Sequence, residues 1–128
     1  RYETGLSDET IPEIRQRVVK EETAQKITAM LVRVVDEAID GGRKRLPHYQ
    51  IAAKTGTAQI PKPLVGGYEK DKFLHSFFGY FPASNPRFSV FLYALEPVGA
   101  QYALQTLTDP FINLAKFLLN YYRVPPDR

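Results

Sequence analysis

The run Lys54-Thr55-Gly56-Thr57-Ala58-Gln59 decides the reading of this chain. A lysine, two hydroxyls and a glycine follow one another in a stretch that reads as a β-strand. In a strand, Thr55 and Thr57 point to one side, and Lys54 and Gly56 to the other. Two hydroxyls on one side can grip one carboxylate, and the lysine supplies positive charge that steers an anion and tunes a neighbouring hydroxyl. Gly56 removes a side chain where something must pack or approach closely. On an edge strand, the free N–H and C=O groups can pair with an extended peptide. A backbone N–H held rigidly there can donate to an acyl oxygen as charge develops on it. This is one part of an acyl-transfer site. The serines are Ser7, Ser76, Ser84 and Ser89, and none of them begins an S-x-x-K or an S-x-N. The nucleophile is therefore expected outside this sequence.

Working outward, the first strand is predicted from about Tyr49 to Ile60, stopped by Pro61 and Pro63. A loop through Gly66-Gly67-Tyr68 leads to a second strand, about Phe73 to Phe81. Pro82, Asn85 and Pro86 make a tight connection to a third, Phe88 to Leu95. Phe77, Phe78, Tyr80, Phe81, Val90, Phe91, Leu92 and Tyr93 leave little polar alternation in these two strands. A sheet of that kind is normally covered on both faces. Before the sheet, residues 21–40 read as a helix with Ala24, Ile27, Leu31, Val34 and Ala38 as one buried stripe. Glu21 and Glu22 favour its start and Gly41-Gly42 its end. After the sheet, Leu104, Leu107, Phe111, Leu114, Leu118 and Tyr121 repeat at three and four, which predicts a helix over residues 103–122. Either Asp109 caps it with Pro110 at its first position, or an earlier turn runs into a kink at Pro110. One stripe lying on the sheet is favoured over a coiled-coil seam, because the repeat is short. Residues 1–19 read as an arm or hairpin. The fold class is α/β in the α+β sense: an antiparallel three-stranded sheet over 49–96, flanked by helices.

The composition bounds the function. A chain of 128 residues with 44% hydrophobic residues suits one domain with one modest core. It starts at Arg1 rather than Met, so a piece of a longer protein is expected. No apolar run is long enough to span a bilayer. Net charge is +3 with a pI near 9.2, and Arg43-Lys44-Arg45 is the only dense basic run. That run reads as a solvated turn after the helix, and the aromatics do not interleave with basic residues as a nucleic-acid platform would. No nucleic-acid partner is expected. Cysteine is absent, which excludes disulfides, thiolate metal sites and cysteine nucleophiles within the chain. His48 and His75 lie far apart without ligand spacing, so no metal site and no cofactor are expected.

Lys-Thr-Gly stands beside S-x-x-K and S-D-N among the motifs of penicillin-binding proteins and β-lactamases. Here its surroundings point the same way. Glu21-Glu22-Thr23-Ala24-Gln25-Lys26, the run Ala52 to Gln59 and the Gly66-Gly67-Tyr68 loop occur in order. Ser76-Phe77-Phe78-Gly79-Tyr80-Phe81-Pro82, Asn85-Pro86 and Glu96-Pro97 follow. Together they resemble the C-terminal half of the transpeptidase domain of class B penicillin-binding proteins, from about Val18 to Pro126. The resemblance implies a wall-synthesising D,D-transpeptidase acting on stem peptides ending in D-Ala-D-Ala and binding β-lactams. It implies that Lys54 supports proton transfer and carboxylate recognition. Thr55 and Thr57 then bind the carboxylate through their hydroxyls, around Gly56, and the Thr57 N–H is an oxyanion donor. It implies a parent anchored at the extracytoplasmic face of the membrane, with both serine motifs and most of an all-α lobe upstream of Arg1.

Two other readings stand beside this one. A penicillin-binding-like module could sense or dock without turnover. A carboxypeptidase or β-lactamase would need an activated water, which no feature here supplies. Without upstream neighbours, a strand edge and an apolar surface are expected to stay uncovered, so the chain should self-associate, swap its arm or need a missing partner segment.

Overall fold

A computed structural model describes residues 16–64 and 66–128. Most of the expected N-terminal arm lies outside the described residues, and 16–20 carry no regular element. The described chain runs α1 (Glu21–Arg33), β1 (Ala52–Pro61), β2 (Tyr68–Phe81), β3 (Phe88–Leu95) and α2 (Ala103–Tyr121). The three strands form one antiparallel sheet in sequence order.

Two boundaries differ from the sequence reading, each for a physical reason. Tyr49 to Ile51 do not join β1, because Gln50 spends its backbone groups elsewhere: its carbonyl accepts from the Ala83 N–H at 2.8 Å, and the C-terminal tail takes its N–H. The Tyr49 hydroxyl donates to the Val124 carbonyl at 2.7 Å, and the Gln50 N–H donates to Asp127 at 2.7 Å. β2 begins at Tyr68 rather than Phe73. The polar run Glu69-Lys70-Asp71-Lys72 hides this part of the strand from a hydrophobic pattern, yet Tyr68 pairs with Pro61 beyond a bulge at Gln59/Pro61. α2 begins at Ala103 as expected, and of the two readings of Pro110 the earlier start holds: Pro110 lies within the helix and Asp109 is not its cap.

The first helix also departs from a plain amphipathic helix. After Arg33 the backbone widens into a π-turn over Val34–Ala38 and then a 3-10 turn over Ile39–Gly42. Asp40, Gly41 and Gly42 take positive φ, which ends the segment where the glycines predicted it. The wider turn rotates the side chains. Val35 and Ile39 are buried, in place of the expected Val34 and Ala38. Ile27 is exposed, and no residue of α1 itself is fully buried. α1 runs alongside β1, and its Thr28 hydroxyl shares a hydrogen bond with the Tyr80 hydroxyl at 2.7 Å.

The core lies between α2 and one face of the sheet. Phe77 and Phe111 stack with centroids 4.3 Å apart, and Phe81 meets Phe111 edge-on at 6.1 Å. All three are fully buried, and Val35, Ile39, Ile51 and Leu119 complete the same cluster. Gly79 makes this possible. A Cβ there would lie 2.6 Å from the Phe111 ring, 2.6 Å from the Ala53 Cβ and 2.9 Å from the Ala52 carbonyl oxygen. On the other face, the register places Leu74 beside Leu95 and Phe78 beside Phe91. Phe91 is 60% and Tyr93 68% exposed, so among the described residues this face is covered only near Ala52 and Tyr80, where α1 lies, and stays open over β3.

Gly79→Ala should therefore destabilise by about 1–3 kcal/mol, the usual cost of overpacking a filled core. Ser89→Ala, on the exposed face of β3, should stay within about 0.5 kcal/mol of the parent. Denaturant midpoints for the two variants check this, and equal midpoints would mean that α2 does not seat on Gly79.

Candidate active site

The four residues singled out by sequence all lie on β1. They divide between its faces as the alternation requires. Gly79 meets Phe111, so the odd-numbered residues of β2 face α2, and through the register Thr55 and Thr57 do the same opposite Phe77 and His75. Lys54 and Gly56 face away, opposite Phe78 and Ser76. β1 pairs with β2 alone, so its other edge is free among the described residues. The Lys54 ammonium folds back along the strand and donates to the Thr55 carbonyl at 2.7 Å. Alternate residues of an antiparallel strand aim both backbone groups to one side, so the Thr57 N–H shares the direction of the Thr55 carbonyl. Gly56 answers to a close approach: a Cβ there would sit 2.6 Å from Ser76 Oγ.

Thr57 has a structural partner that the sequence did not show. The Ala103 N–H donates to Thr57 Oγ1 at 3.0 Å. Ala103 opens α2, and the first N–H groups of a helix have no intrahelical acceptor. α2 has no side-chain cap on its own N-cap residue, so a hydroxyl from β1 takes one of these donors. The Gln105 side-chain oxygen takes two more, from Gln101 N–H at 3.1 Å and Tyr102 N–H at 3.0 Å.

Beside Thr57 stands His75, fully buried on β2. Both ring nitrogens reach the start of α2: Nδ1 lies 2.9 Å from Thr106 Oγ1, and Nε2 lies 3.1 Å from the Gln101 carbonyl. One signal in the sequence could have found it. His75 alternates with Phe73, Phe77 and Gly79 on a face that is otherwise apolar, and a buried imidazole there needs partners for its nitrogens.

The Arg43-Lys44-Arg45 run lies in the turn after Gly42. Arg43 pairs with Asp40 and Lys44 with Asp109, both at 2.5 Å, and these bonds hold both cations above their usual range. A groove of about 550 Å³ lies between α1 and the Ala83–Pro86 turn, lined by Thr28, Val32, Gln50 and Ser84 among others. It does not include Lys54, Thr55 or Thr57.

Comparison with known proteins gives the family. Residues 3–113 match the penicillin binding protein transpeptidase domain. The chain belongs to that family. It is 34% identical over 114 residues to the peptidoglycan D,D-transpeptidase FtsI homolog of Nephroselmis olivacea, covering 88% of this chain and 16% of that protein. It is 32% identical to the probable peptidoglycan D,D-transpeptidase PenA of Neisseria flavescens, covering 88% of this chain and 28% of that protein. The chain thus spans less than a third of the length of these relatives. Among solved structures, penicillin-binding protein 3 of Mycobacterium tuberculosis, complexed with ampicillin, superposes with a TM-score of 0.74 at 33% identity. That match covers 94% of this chain and 28% of the other. The transpeptidase domain of Burkholderia pseudomallei penicillin-binding protein 3 gives 0.73 at 29% identity, over 96% of this chain and 37% of the other. The class B resemblance and the α+β fold both hold.

The cap on α2 yields a stability test. Thr57→Val keeps the shape and removes the acceptor, at a cost of about 1 kcal/mol typical of a lost N-cap. Thr57→Ser should restore it. Melting temperature and amide hydrogen exchange at Ala103 measure the effect, and unchanged exchange in Thr57→Val would remove Thr57 as the cap.

Proposed function

We propose that this chain supplies the carboxylate-binding and oxyanion-donating strand of a peptidoglycan D,D-transpeptidase, and that the nucleophilic serine comes from another part of the protein. The observation that carries the reading is the placement of Lys54, Thr55 and Thr57 together on the free edge of β1.

The chemistry is acyl transfer. The serine hydroxyl attacks the carbonyl carbon of the D-Ala–D-Ala bond. The C–N bond breaks, D-Ala leaves with the proton, and the stem peptide remains as a serine ester. An amine from a neighbouring stem then attacks the ester, forms the cross-link and returns the proton to the serine. A β-lactam enters the same first step through its ring amide. Lys54 contributes fixed positive charge where proton transfer takes place. Thr55 and Thr57 donate hydroxyl hydrogens to the terminal carboxylate. The Thr57 N–H meets the oxyanion, where a preorganised donor acts most strongly as charge develops. The free edge of β1 accepts the stem peptide as an added strand. On this reading the uncovered face bearing Phe78, Phe91 and Tyr93 meets the upstream part of the domain. The parent works at the extracytoplasmic face of the membrane. The described helices include none long and apolar enough to cross a membrane, so an anchor belongs to another segment.

The experiment uses fluorescent penicillin and denaturing electrophoresis. The 128-residue chain alone should give no covalent band, because none of its serines lies in a nucleophile motif. The full-length protein should label, and Lys54→Ala should lose most of that labelling. Thr55→Val should weaken acylation by about tenfold, as losing one hydrogen bond to a charged group implies. A labelled band from the chain alone would place the nucleophile within it. Undiminished labelling in Lys54→Ala and Thr55→Val would make the motif structural.

A further inference from the structure

We propose that His75 is a positioning residue for the Thr57 hydroxyl, acting through the first turn of α2. The inference rests on the transpeptidase reading and deepens it.

The geometry is a clamp. His75 and Thr57 are cross-strand partners, so their side chains stand together on the face that carries α2. The ring nitrogens of His75 hold Gln101 and Thr106, and these bracket Ala103 in sequence. Ala103 in turn donates to Thr57 Oγ1. His75 and Ala103 are both fully buried, so the imidazole holds this turn inside the core rather than at a solvated surface.

The hydrogen bonds fix the direction of the two protons that matter here, on His75 Nε2 and on the Ala103 nitrogen. The Gln101 carbonyl can only accept, so His75 Nε2 carries a hydrogen. Nδ1 then faces the Thr106 hydroxyl at 2.9 Å, whose single hydrogen is shared between this nitrogen and the Ala103 carbonyl at 3.3 Å. The Ala103 N–H can only donate, so it occupies a lone pair of Thr57 Oγ1. A threonine hydroxyl has one hydrogen to give. With Ala103 fixed on the oxygen, that hydrogen is directed away from α2, and a ligand carboxylate at the free edge of β1 receives it. Bonds in such a chain polarise one another, which strengthens the last donor. Without the clamp, the start of α2 can shift and the hydroxyl can rotate toward a backbone acceptor. The carboxylate would then lose its best-aimed donor while the strand stayed in place. His75 touches no substrate in this scheme and sets where one proton points.

The test compares acylation of the full-length protein by a penicillin with a free carboxylate and by its methyl ester. Thr57→Val should slow the free acid about tenfold and leave the already slower ester nearly unchanged. His75→Phe fills the same space without polar atoms and should give the same pattern. The double variant should be no slower than Thr57→Val alone, because both changes remove one effect. His75→Gln keeps an N–H for Gln101 and should recover most of the rate. Thr106→Val removes the other half of the clamp and should reproduce the loss if His75→Phe does not fold. Equal slowing of acid and ester in the His75 and Thr106 variants would overturn the inference, and so would losses that multiply in the double variant. Those results with Lys54→Ala and Thr57→Val behaving as expected would overturn the inference alone. Wild-type rates in Lys54→Ala and Thr57→Val would overturn the functional reading and the inference with it.

Discussion

Phe111 sits over Gly79 between the rings of Phe77 and Phe81, and this contact determines where everything else can be. A sheet face and a helix need a shared apolar seam, and here the seam is three phenylalanines around one missing side chain. It fixes α2 along its length and in rotation. Ala103 lies eight residues before Phe111 on the same helix, which is about 12 Å of rise. That distance carries the start of α2 from the core to β1, where its first N–H meets Thr57. A core contact thereby sets the surroundings of a residue on the sheet edge. This is how a packed interior gives precision to a surface group, and it is a reason for functional groups to sit on strands rather than loops.

The same arrangement gives β1 two different faces and one open side. Thr55 and Thr57 lie toward α2 and share its order. Lys54 lies toward the other face, with its ammonium on the Thr55 carbonyl. One ten-residue strand therefore divides its lysine and its two threonines between opposite faces within four positions. The apolar residues Phe78, Phe91, Tyr93 and Leu95 stand exposed on the Lys54 face, with ring contacts from Phe78 to Tyr80 and from Phe91 to Tyr93. They form a ready surface beside Lys54.

Much of this was legible in the sequence where period and punctuation were strong. The sheet order, the Pro82–Pro86 connection and the divided faces of Lys54 and Thr55 follow from alternation and from residues that interrupt strands. Three things did not follow. Val35 and Ile39 replaced Val34 and Ala38 in the core because a π-turn altered the helical period, and no composition rule marks such a turn. The early part of β2 was hidden by four successive polar residues, since an exposed ladder needs no apolar pattern. The environment of Thr57 was hidden most deeply. Its partner is a backbone N–H some 46 positions away, and a backbone group leaves no trace in a sequence. Only His75, a polar residue inside an apolar alternation, hinted that this region was more than a core.

The tail that takes the Gln50 N–H has a consequence for how the chain is made. Asp127 accepts from the Gln50 N–H and from the Ser84 hydroxyl at 2.9 Å, and Arg128 pairs with Asp36 and donates to the Leu46 carbonyl at 2.8 Å. These contacts close a span of 92 positions. A ribosome releases the chain from its N-terminus, so helix α1 and all three strands emerge while their clasp is still unsynthesised. Domains generally fold as units during synthesis, and exposed edges in the meantime invite misassembly. Until Asp127 and Arg128 are free, Gln50, Ser84, Asp36 and Leu46 lack these partners.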